Sequence, residues 1–228
     1  MIVIENPKIR KMLRWLIPFL LIPLVVALGA LLGGAKKHLL ISFLVAALSM
    51  LLFLAGFERK KAGARRMVLS AVMIALCIVG RFIPFFKPVT ALTILAAMYL
   101  GGEAGFLVGS FSAVLSNFYF GQGPWTPFQM LAWGMIGLIA GLLAEKLKGS
   151  RALLLIFGVL SGLIYSLLMD VWTVLWYDDG FRWDLYGAAM LTALPHTIVY
   201  SLSNLAFLFF LGKPMGEKLE RIRIKYGL

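Results

Sequence analysis

Residues 104–144 form the stretch that most constrains the fold, because these 41 residues contain no Asp, Glu, Lys or Arg. A helix crosses the hydrocarbon core of a bilayer with about 20 residues, so the stretch is twice as long as one crossing. Gly121, Gly123, Pro124 and Pro127 interrupt it near the middle, and such residues favour a turn. The stretch therefore predicts two membrane helices joined by a structured loop.

The composition excludes a water-soluble domain. Of the 228 residues, 61% are hydrophobic and only 14% are charged, and the mean hydropathy is +0.93. This balance predicts an all-α polytopic protein of the cell (plasma) membrane that crosses it several times. With one cysteine, Cys77, and two histidines, we expect no internal disulfide, no metal site and no cofactor.

Eight hydrophobic segments follow one another along the chain. The first two are joined by a short linker, so residues 1–58 are predicted to hold an N-terminal transmembrane hairpin. Residues 59–228 are predicted to form a six-helix, substrate-binding membrane domain with a basic tail that is a candidate interfacial helix. The eight segments are residues 15–34, 38–57, 67–79, 88–100, 104–118, 127–144, 152–176 and 186–211.

The net charge of +12 raises the possibility of nucleic-acid binding, but the placement of the charges explains it differently. If the N-terminus lies in the cytoplasm and the segments alternate in direction, 17 of the 22 Lys and Arg residues fall on the cytoplasmic side. This is the bias that orients membrane proteins. We therefore predict a lipid bilayer as the environment and no nucleic acid as a partner.

The same topology places three loops with aromatic, amide and charged side chains at the outer face. Aromatic rings provide apolar contact area and a few polar groups fix orientation, as in sites for large amphipathic molecules. An aromatic belt at the lipid headgroups is the alternative for any single Trp. The candidate substrate-binding residues in these loops are Arg81, Lys87, Asn117, Gln122, Trp125, Thr126, Gln129, Trp133, Trp172, Trp176 and Tyr177.

Polar residues inside the apolar segments are further candidates. Asp170 is an acid within an apolar helix, which predicts either a proton or cation site or an ion pair with Arg81 or Lys87. His196 and Tyr200, with Asn204, recur every four residues and so share one helix face. We expect that face to point into the bundle, where it contacts substrate or forms interhelical hydrogen bonds.

No catalytic constellation occurs in the sequence. There is no phosphate-binding P-loop and no metalloprotease or serine-hydrolase motif, so an enzyme with its own ATP site is not predicted. Ala71 and Ala75 form a small-xxx-small pair, a spacing that lets another helix approach closely. A secondary transporter, a channel and one subunit of a larger assembly all fit these observations.

Several longer motifs resemble the substrate-binding S component of energy-coupling factor (ECF) vitamin transporters. One is the run R-x-I-P-x-x-K-P from Arg81, followed by A-A-M-Y-L-G-G. Another is G-F-x-x-G-x-x-S-A-x-x-S-N, which ends at Asn117. The string F-G-Q-G-P-W-T-P-F-Q-M at 120–130 is most similar to S components for cobalamin or related corrinoids. Together with the six segments, the resemblance covers about residues 65–212.

This resemblance implies a substrate-capture subunit of an importer rather than an enzyme. Its expected partners are a vitamin, with cobalamin as the first candidate, a transmembrane T component and two cytoplasmic ATPase subunits. In the family, the helix carrying Ala71 and Ala75 faces the T component, the ligand site lies at the outer end, and the subunit topples to release its substrate. The N-terminal hairpin departs from the usual six helices, and it either sits beside the core or contacts a partner.

Two other functions remain open on the sequence. A proton-coupled secondary transporter of a small organic molecule would work through Asp170 and His196, without ATPase subunits. A non-transport membrane assembly factor would use the Ala71 and Ala75 helix and the basic tail.

Overall fold

The protein is all-helical in the computed structural model, which describes residues 6–32, 38–56, 60–177 and 181–227. The first helices are α1 (Pro7–Leu16), α2 (Ile22–Leu32), α3 (His38–Ala55), α4 (Lys60–Gly80) and α5 (Val89–Leu100). They are followed by α6 (Gly102–Phe120), α7 (Trp125–Leu142), α8 (Ala144–Gly149), α9 (Arg151–Tyr177) and α10 (Trp183–Tyr226). Each of the eight predicted segments corresponds to helix over the residues that the structure describes.

Six helices of the described ranges are long and apolar enough to cross a membrane, and α5 is a shorter apolar helix. The expected all-α, multi-pass membrane architecture is therefore confirmed. α8 was not expected, and neither was the unbroken course of α10, which continues through the basic tail for a total of 44 residues. The tail is an extension of the last membrane helix rather than a separate interfacial helix.

α1 and α2 form one crossing through a π-helical segment, Ile17–Leu21. Pro18 is the second residue of this segment, and Pro23 lies two residues beyond its end. A proline removes a backbone hydrogen bond and displaces the preceding turn, and a wider π turn absorbs that displacement. α3 runs back beside this crossing and packs against α6 and α7. The hairpin therefore lies beside the six-helix core, and the division of the chain at residue 58 stays a prediction.

α5 is the centre of the core. Every residue of this helix except Tyr99 is buried, and α4, α6, α7 and α10 all contact it. A helix that is apolar on all sides is buried either in a protein core or in a membrane, and here the neighbouring helices bury it. This explains why 12 residues, about 18 Å of helix, suffice here without spanning the hydrocarbon on their own.

Glycines bring α6 and α7 into backbone contact. A Cβ atom on Gly109 would lie 2.8 Å from the backbone nitrogen of Gly134, and one on Gly105 would lie 2.9 Å from the carbonyl oxygen of Gly137. Close approach through small residues is a common packing mode of membrane helices. It holds α6 against α7, and the candidate site lies at the outer ends of these two helices.

Candidate functional site

Asn117 is the centre of a buried polar network at the outer end of α6 and α7. Its amide nitrogen donates to Thr126 Oγ1 at 2.9 Å and to Gln129 Oε1 at 2.8 Å. Gln129 in turn donates to the hydroxyl of Tyr165 at 3.2 Å. Asn117 is 1% exposed, and burying an amide is favourable only when it is hydrogen-bonded. The network therefore fixes three of the predicted site residues in one place.

Arg81 joins this network from the loop after α4. Its Nη1 donates to Asn117 Oδ1 at 2.7 Å and to Ser116 Oγ. Its guanidinium also lies 5.5 Å from the centre of the Trp133 ring, within the range of a cation–π contact. Within the described residues, neither Nε nor Nη2 of Arg81 donates a hydrogen bond. The guanidinium thus keeps donors for a further acceptor.

The predicted ion pair of Asp170 with Arg81 or Lys87 is wrong. Asp170 is buried in α9, but no ion pair joins it to another residue in the described part of the chain. Its electrostatic neighbour is Tyr186 of α10. The prediction failed because Arg81 bonds to the neutral amide oxygen of Asn117 and the hydroxyl of Ser116, and counting charges does not consider neutral acceptors.

Lys87 lies at the edge of the same site. It is half-buried, and its ammonium lies 5.9 Å from the centre of the Phe120 ring, which Arg81 also contacts. Burial and the neighbouring Arg81 charge both lower the pKa of Lys87. Two cations share this edge, so the local potential is positive and favours electron-rich or anionic ligand groups.

Aromatic rings surround the polar network in layers. Trp133 stacks on Tyr165, with ring centres 4.9 Å apart and planes within 18°, and Tyr165 contacts Tyr200 of α10 at 5.1 Å. Trp125 meets Trp172 edge-on at 5.7 Å. Such pairs provide the flat, polarisable walls that bind planar organic rings. Four predicted aromatics therefore belong to two groups beside the network.

The loop between α6 and α7 is built by glycine and an amide. Gly121 has φ +106°, a conformation that side chains disfavour. Gln122 then donates from Nε2 to the carbonyl of Val114 at 2.8 Å and accepts from the hydroxyl of Thr126 at 3.0 Å. The residues of this predicted loop thus serve first to hold it in one conformation.

The remaining predicted site residues either lie away from the Asn117 network or have side chains outside the residues that the structure describes. His196 is exposed, while Tyr200 is half-buried and Asn204 is buried and donates to the carbonyl of Gly158 at 3.0 Å. The expected inward face therefore excludes His196, and the next residue, Thr197, is the buried one, with its hydroxyl 2.5 Å from that of Ser166 in α9. The side chains of Trp176 and Tyr177 lie outside the described residues.

Sequence reasoning missed three members of the site. Tyr165, Ser116 and Thr90 connect the network, and Thr90 accepts from the indole nitrogen of Trp133 at 3.1 Å. Each is a polar residue in an apolar helix, which was the available signal. Hydroxyl side chains are common in apolar helices. Only the three-dimensional contacts distinguish these three residues from those whose hydroxyl bonds to a carbonyl of its own helix.

The helix with the predicted docking pair leaves one face open. Ala71 and Ala75 are exposed on α4, and Val68, Val72 and Val79 on the same side are 50–66% exposed. The hairpin packs on α6 and α7 instead. An exposed apolar helix face with small residues at its centre suits a lipid-embedded partner helix.

The other end of the bundle is held by a buried carboxylate. Glu103 begins α6 and bonds to Arg14 of α1, and its second oxygen lies 4.0 Å from Arg66 of α4. Arg66 also donates to the carbonyl of Leu100. Glu103 is the only acidic residue between Glu58 and Glu145 in the sequence. The charge count considered only Lys and Arg residues on each side of the membrane and so did not use this signal. This contact ties the hairpin to the core.

The family model described as ECF-type riboflavin transporter, S component, matches residues 61–217. This range is about two thirds of the chain and leaves out the N-terminal hairpin. No curated protein and no solved structure matched.

Proposed function

Because the chain belongs to the family of ECF-type riboflavin transporter S components, we propose that it captures a flavin, riboflavin first, at the outer face of the membrane. As a family member it is a subunit of an importer in the cell membrane and not itself an enzyme. Its T component and ATPase partners follow from the family, and this replaces the proton-coupled and assembly-factor alternatives.

The arrangement around Asn117 supports a flavin. The isoalloxazine ring is flat and has one apolar edge and one edge of alternating carbonyl and N–H groups. Trp133 and Tyr165 stack as a buried ring layer behind the half-buried Tyr200, and the guanidinium carbon of Arg81 lies 5.5 Å from the centre of the Trp133 ring. A carbonyl edge beside Arg81 with the ring against the aromatic layer satisfies both surfaces.

A corrinoid is the second candidate, and the similarity of residues 120–130 to corrinoid S components favours it. A corrin is much larger than three fused rings, so it requires a wider opening at the outer loops. The family match names riboflavin and does not support the corrinoid expectation. The two vitamins are therefore separated best by direct binding.

We expect riboflavin to bind the purified full-length protein and cobalamin and cobinamide not to bind, measured by calorimetry in detergent. Trp125→Ala removes the half-buried partner of Trp172 and is expected to weaken binding about tenfold, the equivalent of one aromatic pair. Trp15→Ala, an exposed tryptophan in α1, is the matched control and should bind like the wild type.

Tight cobalamin binding without riboflavin binding would replace the flavin by a corrinoid at the same site. Binding of riboflavin that Trp125→Ala leaves unchanged would retain the substrate and move the site away from the Trp125–Trp172 pair. If no vitamin binds, the proposed ligand site at the outer face is wrong.

We also propose that the open face of α4 docks on the T component. Ala71→Trp is expected to lower vitamin uptake more than tenfold in cells that express the whole transporter, because the indole keeps the partner helix from approaching. Binding by the purified subunit should stay within about twofold, since the outer site is built by other helices. Ala27→Trp, an exposed alanine of α2, is the control. Equal loss of uptake in both variants would contradict docking through α4.

A further inference from the structure

A groove lies between the hairpin and the core at the cytoplasmic end. It encloses about 350 Å³ and is formed by α1, the π-helical segment, the start of α6 and the end of α7. The groove needs the hairpin, which lies outside the range that the S-component family model matches. It is lined by Pro7, Arg10, Lys11, Arg14, Trp15, Phe19, Glu103, Leu138 and Leu142.

Charge is concentrated at one end of this groove. Arg10, Lys11 and Arg14 are consecutive basic positions of the first helix, and Arg10 and Arg14 share a face because they are four residues apart. The one acid of the lining, Glu103, bonds to Arg14 and has Arg66 at 4.0 Å. It also sits in the first turn of α6, where the helix dipole favours a negative charge. The end of the groove therefore keeps a positive potential.

Apolar surface continues from the charged end into the membrane. Trp15 and Phe19 stack with ring centres 5.3 Å apart, and they follow Lys11 at four-residue intervals on the same face of the helix. Leu138 and Leu142 of α7 form the opposite wall. Beyond Phe19 the lipid-facing residues Leu20 and Leu24 are 53% and 46% exposed, which extends the apolar track toward the bilayer centre.

We propose that this groove binds an anionic phospholipid of the cytoplasmic leaflet, with its phosphate at Lys11 and Arg14 and an acyl chain along Trp15 and Phe19. The basic residues lie at the level of the lipid headgroups, and the apolar wall follows them directly. The two parts of the groove therefore match the headgroup and the acyl chain of such a lipid. An acidic peptide segment would satisfy the cations but would leave the apolar track unused. A zwitterionic lipid would place its acyl chain along the same apolar surface. Its headgroup has no net charge, so it would gain no net attraction from the three cations.

The test is lipid competition by native mass spectrometry on the full-length protein released from mixed vesicles of phosphatidylglycerol and phosphatidylcholine. We expect preferential retention of phosphatidylglycerol. One juxtamembrane cation contributes about fivefold to the binding of anionic lipid, so Lys11→Gln is expected to lower the preference about fivefold and Arg10→Gln/Lys11→Gln more than tenfold. Arg14 is left unchanged because it also holds Glu103.

Lys218→Gln/Lys225→Gln is the control, since these exposed basic residues of α10 lie away from the groove. The control should retain the wild-type preference. An equal loss in both double variants, or no preference for phosphatidylglycerol in the wild type, would overturn the proposal. Equal competition by inorganic phosphate or by deacylated glycerophosphoglycerol would also overturn it, because the acyl chain would then contribute nothing. Displacement of the lipid only by an acidic peptide would indicate a protein partner instead. Gel filtration of each variant checks that it is folded.

Discussion

Asn117→Leu is expected to lower the free energy of unfolding by about 4 kcal/mol, the cost of breaking a buried network that holds a charge. Leucine has the same number and branching of side-chain heavy atoms as asparagine, but it neither accepts from Arg81 nor donates to Thr126 and Gln129. The guanidinium of Arg81 is then left with Ser116 as its acceptor. We expect a lower midpoint of thermal unfolding in detergent and loss of vitamin binding.

Phe118→Leu is the matched control for this variant. It places the same side chain on the next residue of α6, where the native phenylalanine is 63% exposed. We expect a change within about 0.5 kcal/mol in the free energy of unfolding, as at other exposed positions. If Asn117→Leu were as stable as Phe118→Leu, the network would not be a structural centre. If it were destabilised but still bound vitamin normally, the ligand would lie elsewhere.

Gly109→Ala is expected to destabilise the protein by about 3 kcal/mol, the cost of forcing one methyl group into a filled contact. The new Cβ would lie 2.8 Å from the backbone nitrogen of Gly134. Backbone atoms cannot turn aside as a flexible side chain can, so α6 and α7 have to separate. The outer ends of both helices carry the site, and we therefore expect weaker vitamin binding as well as a lower unfolding temperature.

Gly187→Ala makes the same chemical change in α10, where no other group lies within 4 Å of the added carbon. Alanine favours a helix over glycine by about 1 kcal/mol, so this variant is expected to be slightly more stable. The two glycine variants should thus change the unfolding temperature in opposite directions. A stabilising effect of Gly109→Ala would show that α6 and α7 are not in backbone contact.

The sequence predicted the helices well because their signal is local. Residues 104–144 contain no charge and a central turn, and both features survive as α6, Gly121 and α7. The basic tail was misjudged for a similar reason. Its pattern of charges is typical of an interfacial helix. The helix nevertheless continues without a turn after Gly212, and Pro214 lies within α10.

The site was predicted less completely because its contacts are distant in sequence. Asn117, Thr126 and Gln129 lie within one turn-rich stretch, so their proximity could be expected. Tyr165 reaches Gln129 over 36 residues, and no periodicity relates the two. Asp170 shows the limit of electrostatic reasoning: opposite charges near the same face predicted a pair, but Arg81 bonds to the neutral amide oxygen of Asn117 instead.

The Arg14–Glu103 contact has a consequence for the order in which the protein is made. The two residues are 89 positions apart, and a ribosome needs about 4 to 18 seconds to add that many residues. The hairpin therefore enters the membrane well before its attachment point exists. During that interval Arg14 lacks its partner, and it can bond to Glu103 only after α6 has been inserted.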